Sequence, residues 1–119
     1  MKALFDTNIL IDYLSGVEAA RAELGRYRSR LVSIITWMEV HAGARTEAET
    51  DVIDLFLRGF SLVDVSHRVA REASDIRRAA RMRLSVAIIL ASARVESALL
   101  VTRNTKDFGP DLPGVRVPY

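Results

Sequence analysis

The sequence predicts an α/β fold, a three-layer α/β/α sandwich around a central, mainly parallel sheet. Short apolar segments alternate along the chain with helical segments, a pattern typical of parallel sheets covered by helices on both faces. The chain has 119 residues, and half of them are hydrophobic. That length is typical of one domain with a substantial core, so we expect residues 1–119 to form a single domain.

Local composition places each element along the chain. β-Branched and apolar runs predict strands, and capping residues followed by apolar residues at helical spacing predict helices. Thr36 is expected to cap the third helix, and Gly16 is expected to end the first. We expect strands at residues 2–5, 31–35, 60–65, 99–101 and, at the edge of the sheet, 115–117. We expect helices at residues 9–14, 17–27, 37–44, 47–57, 67–83 and 86–97.

The composition excludes several classes of site. There is no cysteine, which excludes disulfides, thiolate zinc sites and a cysteine nucleophile, and which suits a reducing cytoplasm. No apolar run approaches the ~18 residues of a membrane span. Asp6 and Asp12 interrupt the apolar start that a secretory signal needs. We therefore expect a cytoplasmic protein without a membrane partner, in which any metal is held by oxygen or imidazole.

The basic residues are almost all arginines. Lys2 and Lys106 are the only lysines among 17 basic residues, and the net charge is +2. Arginine binds phosphate in a bidentate manner, and residues 67–83 are dense in arginine. Arg78 and Arg81 in this segment are candidate contacts for RNA, although a charge-rich helix is also consistent with a face exposed to solvent.

Polar side chains follow two of the predicted strands. Asp6 follows the first strand, and Asn104 and Asp107 follow the fourth, at the edge of the sheet where ligands of such folds bind. Glu39 lies one turn inside the third helix. Taken singly, each residue has a structural explanation: Asp6 can cap a helix, Asp107 can stabilise a turn, and Glu39 can be a side chain exposed to solvent. Taken together, clustered carboxylates repel one another and favour a hard divalent cation, so the pattern favours a metal-dependent nuclease.

Three segments of the chain form a recognisable set: residues 4–12 (LFDTNILID), 33–40 (SIITWMEV) and 99–108 (LLVTRNTKDF). Together they resemble the PIN-domain family, and within it the VapC-type toxins of toxin-antitoxin pairs. The resemblance implies an α/β/α sandwich and a Mg²⁺- or Mn²⁺-dependent endoribonuclease that cleaves structured RNA. It also implies a homodimer and a VapB-type antitoxin whose C-terminal segment covers the active site. An apolar surface that could serve either protein contact is expected near Leu55, Phe56 or Leu90.

The resemblance also assigns roles to individual residues. The catalytic acids of the family fall on Asp6, Glu39 and Asp107. These three residues and Asn104 are the implied metal ligands. The resemblance implies that Thr7 and Asn8 orient the metal ligands and can also contact the substrate. The roles of all six residues are therefore expectations that come from the family and not from spacing alone; the residues are Asp6, Thr7, Asn8, Glu39, Asn104 and Asp107.

One family acid is missing. VapC-like chains usually carry the sequence LPDAII at the start of the penultimate helix, where residues 84–89 of this chain read LSVAII. Val86 stands at the position of the acid and cannot bind magnesium. There is no other acid between Asp75 and Glu96 that could replace it. We therefore expect impaired catalysis, and the alternative is a catalytically inactive PIN-fold binding module that retains antitoxin binding.

A second alternative is a phospho-receiver domain, which has a similar length and the same fold class. Its polar set would be Asp64, Thr102 and Lys106, each near the end of a predicted strand. Because one fold class serves many functions, the class alone does not decide between the two families.

Overall fold

A five-stranded parallel sheet lies at the centre of the molecule. The computed structural model describes residues 1–109 and 111–119. In this part of the chain the strands are β1 (Lys2–Phe5), β2 (Ser29–Ser33), β3 (Ser61–Val63), β4 (Leu99–Val101) and β5 (Val115–Arg116). The strand order is β3-β2-β1-β4-β5, with every neighbouring pair parallel. The carboxyl ends of all five strands therefore meet at one edge.

Helices cover both faces of the sheet. The helices are α1 (Thr7–Leu14), α2 (Glu18–Leu24), α3 (Ile34–Ala42), α4 (Glu47–Leu57), α5 (His67–Ala80) and α6 (Leu84–Val95). Successive residues of β1 point to opposite faces, so that Leu4 joins one apolar cluster with α5 and α6, while Ala3 and Phe5 join another with α1, α2 and α4. The predicted three-layer sandwich is confirmed. Within the described residues, no helix has the length and apolar character needed to cross a membrane.

The central strand β1 carries the start of the functional site. Its residues Ala3, Leu4 and Phe5 are fully buried. The backbone N–H of Asp6 donates to the carbonyl of Val101 at 2.9 Å, which continues the ladder between β1 and β4 by one step. The position of Asp6 at the carboxyl edge is therefore set by the backbone of the buried sheet.

The boundary between β2 and α3 differs from the prediction. The strand covers Ser29–Ser33 rather than residues 31–35, and the helix begins at Ile34. The cap is Ser33, whose hydroxyl accepts from the N–H of Ile35 at 3.1 Å, while Thr36 is buried inside the helix. The β-branched residues 34 and 35 favour a strand locally, but tertiary packing overrides this preference.

The arginine-rich helix is shorter than predicted. It ends at Ala80 instead of residue 83, because Arg81 adopts a left-handed conformation with φ of 55°. The next helix begins at Leu84, two residues before the predicted start. As a result, Val86 lies in the first turn of α6, and Arg83 lies in the connection just ahead of it.

Candidate functional site

A cavity of about 240 Å³ opens at the carboxyl edge of the sheet. It lies between the start of α1, the middle of α3, the start of α6 and the segment after β4. Its polar lining residues are Asp6, Thr7, Asn8, Glu39, Arg83, Ser85 and Asn104, and its apolar ones are Ile11, Val86, Ile89 and Phe108. Five predicted site residues therefore meet in one cavity: Asp6, Thr7, Asn8, Glu39 and Asn104.

Asp6 is both a helix cap and a wall of the cavity. Its Oδ1 accepts from the N–H of Thr7 at 2.8 Å, which caps α1. Its Oδ2 accepts from the hydroxyl of Thr102 at 2.6 Å and from the amide of Asn8 at 3.4 Å. The two roles considered for Asp6 are thus compatible, since only one of its oxygens serves the cap.

The environment of Asp6 disfavours its ionised form. The residue is only 6% exposed, and burial raises its pKa above the ordinary value for an aspartate. The hydrogen bonds from Thr102 and Thr7 lower the pKa in part, and the negative charge of Glu39 raises it again. A carboxylate held in this state gains from a cation placed beside it.

Thr7 links the two carboxylates. Its backbone N–H binds Asp6, and its hydroxyl donates to Oε1 of Glu39 at 2.6 Å. The same hydroxyl lies 3.0 Å from that of Thr36, which is fully buried in α3. Glu39 itself is exposed, so this contact orients a side chain that would otherwise be free. Thr36 and Thr102 were not predicted as partners of the acids, although Thr102 directly follows the last residue of β4.

Asn104 and Asp107 close the turn after β4. The side-chain amide of Asn104 donates to Oδ2 of Asp107 at 2.8 Å, and the N–H of Asp107 donates to Oδ1 of Asn104 at 3.1 Å. Asn104 lines the cavity. Asp107 does not line it but contacts two residues that do, Asn104 and Arg83. Asn8 ties this segment to α1, because its Oδ1 accepts from the N–H of Arg103 at 3.1 Å.

Arg83 is a cavity residue that the sequence analysis did not select. Its Nη2 donates to Oδ2 of Asp107 at 3.3 Å. The hydrogen bond from Asn104 and, after it, the contact with Arg83 hold the pKa of Asp107 below its ordinary value. No local pattern in the sequence indicates this position, because Arg83 lies in the connection before α6 and contacts Asp107 only in the folded chain.

Arg78 and Arg81 are not brought to the cavity. Arg78 forms an ion pair with Asp75 of the same helix at 2.7 Å, and its side chain is largely exposed. Arg81 ends α5 in its left-handed conformation. Their contact with RNA stays a prediction, and it concerns a surface beside the cavity rather than the cavity itself.

Val86 gives one wall of the cavity an apolar character. It is 6% exposed and packs in the same core cluster as Ile89 and Phe108. Among the residues that the structure describes, no group of three or more His, Cys, Asp or Glu side chains is arranged to hold a metal ion. The oxygen donors that line the cavity are the carboxylates of Asp6 and Glu39 and the amide of Asn104, and oxygen is the ligand type that a hard divalent cation prefers.

A second, larger cavity adjoins the first. It is an apolar groove of about 500 Å³ between α1, α3 and α4. It shares Ile11 and Glu39 with the first cavity, which contains Asp6 and Glu39 and is called the carboxylate cavity below. Leu14 and Val52 line it and are partly exposed. Leu55 on α4 is 66% exposed, whereas Leu90 is 2% exposed and lies in the core, so Leu90 cannot serve a protein contact as predicted.

The PIN domain family matches residues 3–109. The chain belongs to the PIN-domain family. PIN domains are generally nucleases that depend on divalent metal ions. The match covers the strands that carry Asp6 and Asn104, and it confirms the resemblance described above. The phospho-receiver interpretation of Asp64, Thr102 and Lys106 is therefore wrong.

Solved structures agree with this assignment. A toxin-antitoxin complex from Klebsiella pneumoniae contains a chain that is 41% identical to this PIN domain, with a TM-score of 0.93 over 98% of both chains. DNA-bound VapBC from Salmonella typhimurium is 24% identical, with a TM-score of 0.83 over 98% of this chain and 96% of that chain. FitAcB from Neisseria gonorrhoeae is 23% identical, with a TM-score of 0.81 over 98% and 97%. The last two show the fold alone. Comparison with curated proteins gave no match.

Proposed function

We propose that this PIN domain is a VapC-type toxin, a metal-dependent endoribonuclease that cleaves structured RNA and is neutralised by a cognate VapB-type antitoxin. The observation that carries the proposal is the pair of carboxylates, Asp6 and Glu39, which Thr7 orients toward one cavity at the edge of the sheet. The 41% identity to a chain of a toxin-antitoxin complex supports the toxin part of the proposal.

The proposed metal ion is Mg²⁺ or Mn²⁺. Asp6 and Glu39 would hold it, with Asn104 and Asp107 as the further ligands or catalytic groups that the family implies. Such an ion lowers the pKa of water and stabilises charge on the leaving oxygen of a phosphodiester. The contribution of the chain is to fix the donors: Thr7 and Asn8 hold the carboxylate of Asp6 from two sides.

Val86 is proposed to impair this site. Val86 supplies no carboxylate to the wall that it forms with Ser85, so Asp6 and Glu39 are the two carboxylates that line the cavity. Changes at metal sites commonly reduce activity about 10- to 100-fold even in supporting residues. We therefore expect weak or no cleavage by the chain as it stands.

Cleavage of a pool of structured cellular RNAs with Mg²⁺ or Mn²⁺ tests the proposal. Val86→Asp should cut at least ~10- to 100-fold faster than the natural chain. Val86→Asn is the matched control, because it has the same size without the charge, and it should not gain activity. Equal cleavage by the natural chain and Val86→Asp would show that Val86 does not impair the site.

The alternative function is an inactive PIN-fold module that binds antitoxin without cutting RNA. The apolar Val86 wall favours it, together with the intact groove. Tight antitoxin binding by a chain whose Val86→Asp variant leaves RNA intact would select this alternative.

The groove between α1, α3 and α4 is the proposed antitoxin site. Its sharing of Glu39 with the carboxylate cavity means that a segment bound there also reaches the active site. Val52→Glu should weaken antitoxin binding because it places a charge in an apolar groove. Leu62→Glu is the control, because Leu62 is also an exposed apolar residue but lies on β3, away from the groove. Equal loss of binding by both variants would argue against the groove.

The remaining family properties are proposed in the same way. We propose that residues 1–119 act as a single PIN domain in the cytoplasm and form a homodimer, with exposed Leu55 on α4 at the contact. A Leu55→Glu chain that sediments like the natural one would contradict this contact.

Arg78 and Arg81 are proposed to flank the RNA path. Unchanged RNA affinity and salt dependence after charge reversal at both positions would remove that proposal.

A further inference from the structure

Arg83 is the one basic residue among those that line the carboxylate cavity. Its side chain is 75% exposed. Its contact with Asp107 joins Nη2 to Oδ2 at 3.3 Å, which is longer than the about 2.7 to 2.9 Å of a strong charge-assisted hydrogen bond. A guanidinium carries several further N–H donors. Arg83 therefore has donors available for a second anionic group.

The position of Arg83 matches what a phosphodiester needs in this cavity. A phosphate that approaches Asp6 and Glu39 meets two negative charges, which repel it. Arg83 supplies positive charge on the wall that also contains Val86 and Ser85. It reaches this place because the left-handed Arg81 turns the chain out of α5 before α6 begins.

Asp107 has two partners of different kinds. The amide of Asn104 holds it at 2.8 Å within the same turn, and Arg83 contacts the same oxygen from another segment. As long as the guanidinium is in place, the charge of Asp107 is compensated within the protein. If Arg83 turns to another anion, the carboxylate keeps only its neutral partner and regains its affinity for a cation.

We propose that Arg83 binds a phosphate group of RNA in the cavity, and that it withholds Asp107 from the metal site until this phosphate takes its place. The inference rests on the proposed function, because it assumes an RNA substrate and a bound divalent cation. Guanidinium and phosphate form bidentate pairs, which are stronger than the single contact to Asp107. No covalent step is involved, and Arg83 is a substrate-binding and positioning residue.

RNA binding without metal tests the phosphate contact. A fluorescein-labelled RNA stem-loop is titrated in EDTA with the natural chain, Arg83→Gln and Arg58→Gln. Arg58 is an exposed residue before β3, at the opposite edge of the sheet. Arg83→Gln should weaken binding about 5- to 10-fold and reduce the salt slope by about 1, whereas Arg58→Gln should not. Arg83→Lys should keep the salt slope and still bind more weakly. Equal affinity of the natural chain and Arg83→Gln would overturn the inference.

Titration with Mn²⁺ alone tests the hold on Asp107. Arg83→Gln should bind Mn²⁺ several-fold more tightly than the natural chain, because Asp107 is released. The same substitution in an Asp107→Asn background should give a smaller gain, because there is no carboxylate to release. An equal gain in both backgrounds would show that Arg83 acts only through its charge, and would overturn the withholding role.

These measurements also separate the inference from the proposed function. A natural chain that binds neither Mn²⁺ nor the RNA stem-loop would contradict the proposed nuclease, and the inference with it. A natural chain that binds both, with Arg83→Gln indistinguishable from it, would contradict the role of Arg83 alone. Because the Arg83 side chain is 75% exposed, we expect all the Arg83 variants to fold, which thermal unfolding can verify.

Discussion

Asp6 and Asp107 follow neighbouring strands of one sheet, but their surroundings act on their charge in opposite ways. Asp6 is buried, and burial together with the charge of Glu39 raises its pKa. Asp107 is less buried, and its hydrogen bond from Asn104 together with Arg83 lowers its pKa. The surroundings thus shift the pKa of two aspartates in opposite directions, although the two residues follow the paired strands β1 and β4.

The difference shows where the site lacks positive charge. The half that contains Asp6 and Glu39 holds two carboxylates with hydroxyl and amide partners but no cationic side chain in contact with them in the described part of the chain. The half that contains Asp107 has its own guanidinium. The proposed divalent cation would therefore be stabilised most by the first half, and under the proposed role of Arg83 the second half contributes after the guanidinium has moved.

The largest expected effect is on cation binding. Asp6→Asn should weaken Mn²⁺ binding at least ~10- to 100-fold, because it removes the charge of the buried carboxylate that we propose as a ligand. Asp107→Asn should change it by no more than about threefold while Arg83 is in place, since the removed charge was already compensated. Isothermal titration with Mn²⁺ in the absence of RNA measures both. Equal losses for the two variants would show that the halves of the site do not differ.

A smaller loss is expected when the link between the two carboxylates is cut. Thr7→Val keeps the shape of the side chain but removes the hydroxyl that orients Glu39. Mn²⁺ binding should weaken about 10-fold, the lower limit for a supporting residue. Thr105→Val, an exposed position in the segment after β4, serves as the control. If the two threonine variants bind Mn²⁺ alike, Glu39 does not depend on Thr7 for its orientation.

A further carboxylate in the Asp6 half should cost stability when no cation is present. In chelator, Val86→Asp should have a lower free energy of unfolding than Val86→Asn by about 1 kcal/mol, because a charge is added beside Asp6 and Glu39. Mn²⁺ should reverse this order. Denaturant unfolding of the two variants measures the difference, and equal stability in chelator would argue against convergence of these side chains.

The smallest effect is a difference in pH dependence. The raised pKa of Asp6 means that its ionisation opposes folding as pH rises from about 3.9 through the pKa in the folded state. The free energy of unfolding of Asp6→Asn, relative to that of the natural chain, should therefore increase with pH. The lowered pKa of Asp107 stabilises the fold above about pH 3.9, and this contribution is lost as pH falls through the pKa in the folded state.

Asp107→Asn should accordingly have a lower free energy of unfolding than the natural chain at pH 6, by less than about 1 kcal/mol. This difference should disappear in acid. Unfolding in chelator between about pH 3 and pH 7 compares the two variants. Parallel pH profiles would contradict the opposite environments of the two aspartates.

Features that depend on the order of residues along the chain were predictable. The strand and helix alternation follows from local hydrophobic patterns, and a parallel sheet places the residue after each strand at one edge. Asp6 and Asn104 therefore met in the cavity as expected. The boundary at Ser33 was placed incorrectly, because Ile34 and Ile35 favour a strand locally and only packing draws them into a helix.

The partners of the acids were not predictable, since they come from distant segments. Thr36 and Thr102 contact Thr7 and Asp6 across separations of 29 and 96 residues. Arg83 reaches Asp107 over 24 residues, and only after a left-handed Arg81 has ended α5. No local pattern indicates that a residue of an arginine-rich segment turns toward a carboxylate site.

The sequence by itself determined the fold class and the family, because both depend on residue type and order, and by its resemblance to the family it predicted the loss of one acid at Val86. Only the tertiary structure decided that Asp6 and Glu39 share Thr7, that Arg83 contacts Asp107, and that the apolar groove and the carboxylate cavity share Ile11 and Glu39. The physical reason is that electrostatic compensation and cavity shape depend on distances between segments. Those distances exist only once the sheet and its helices have packed.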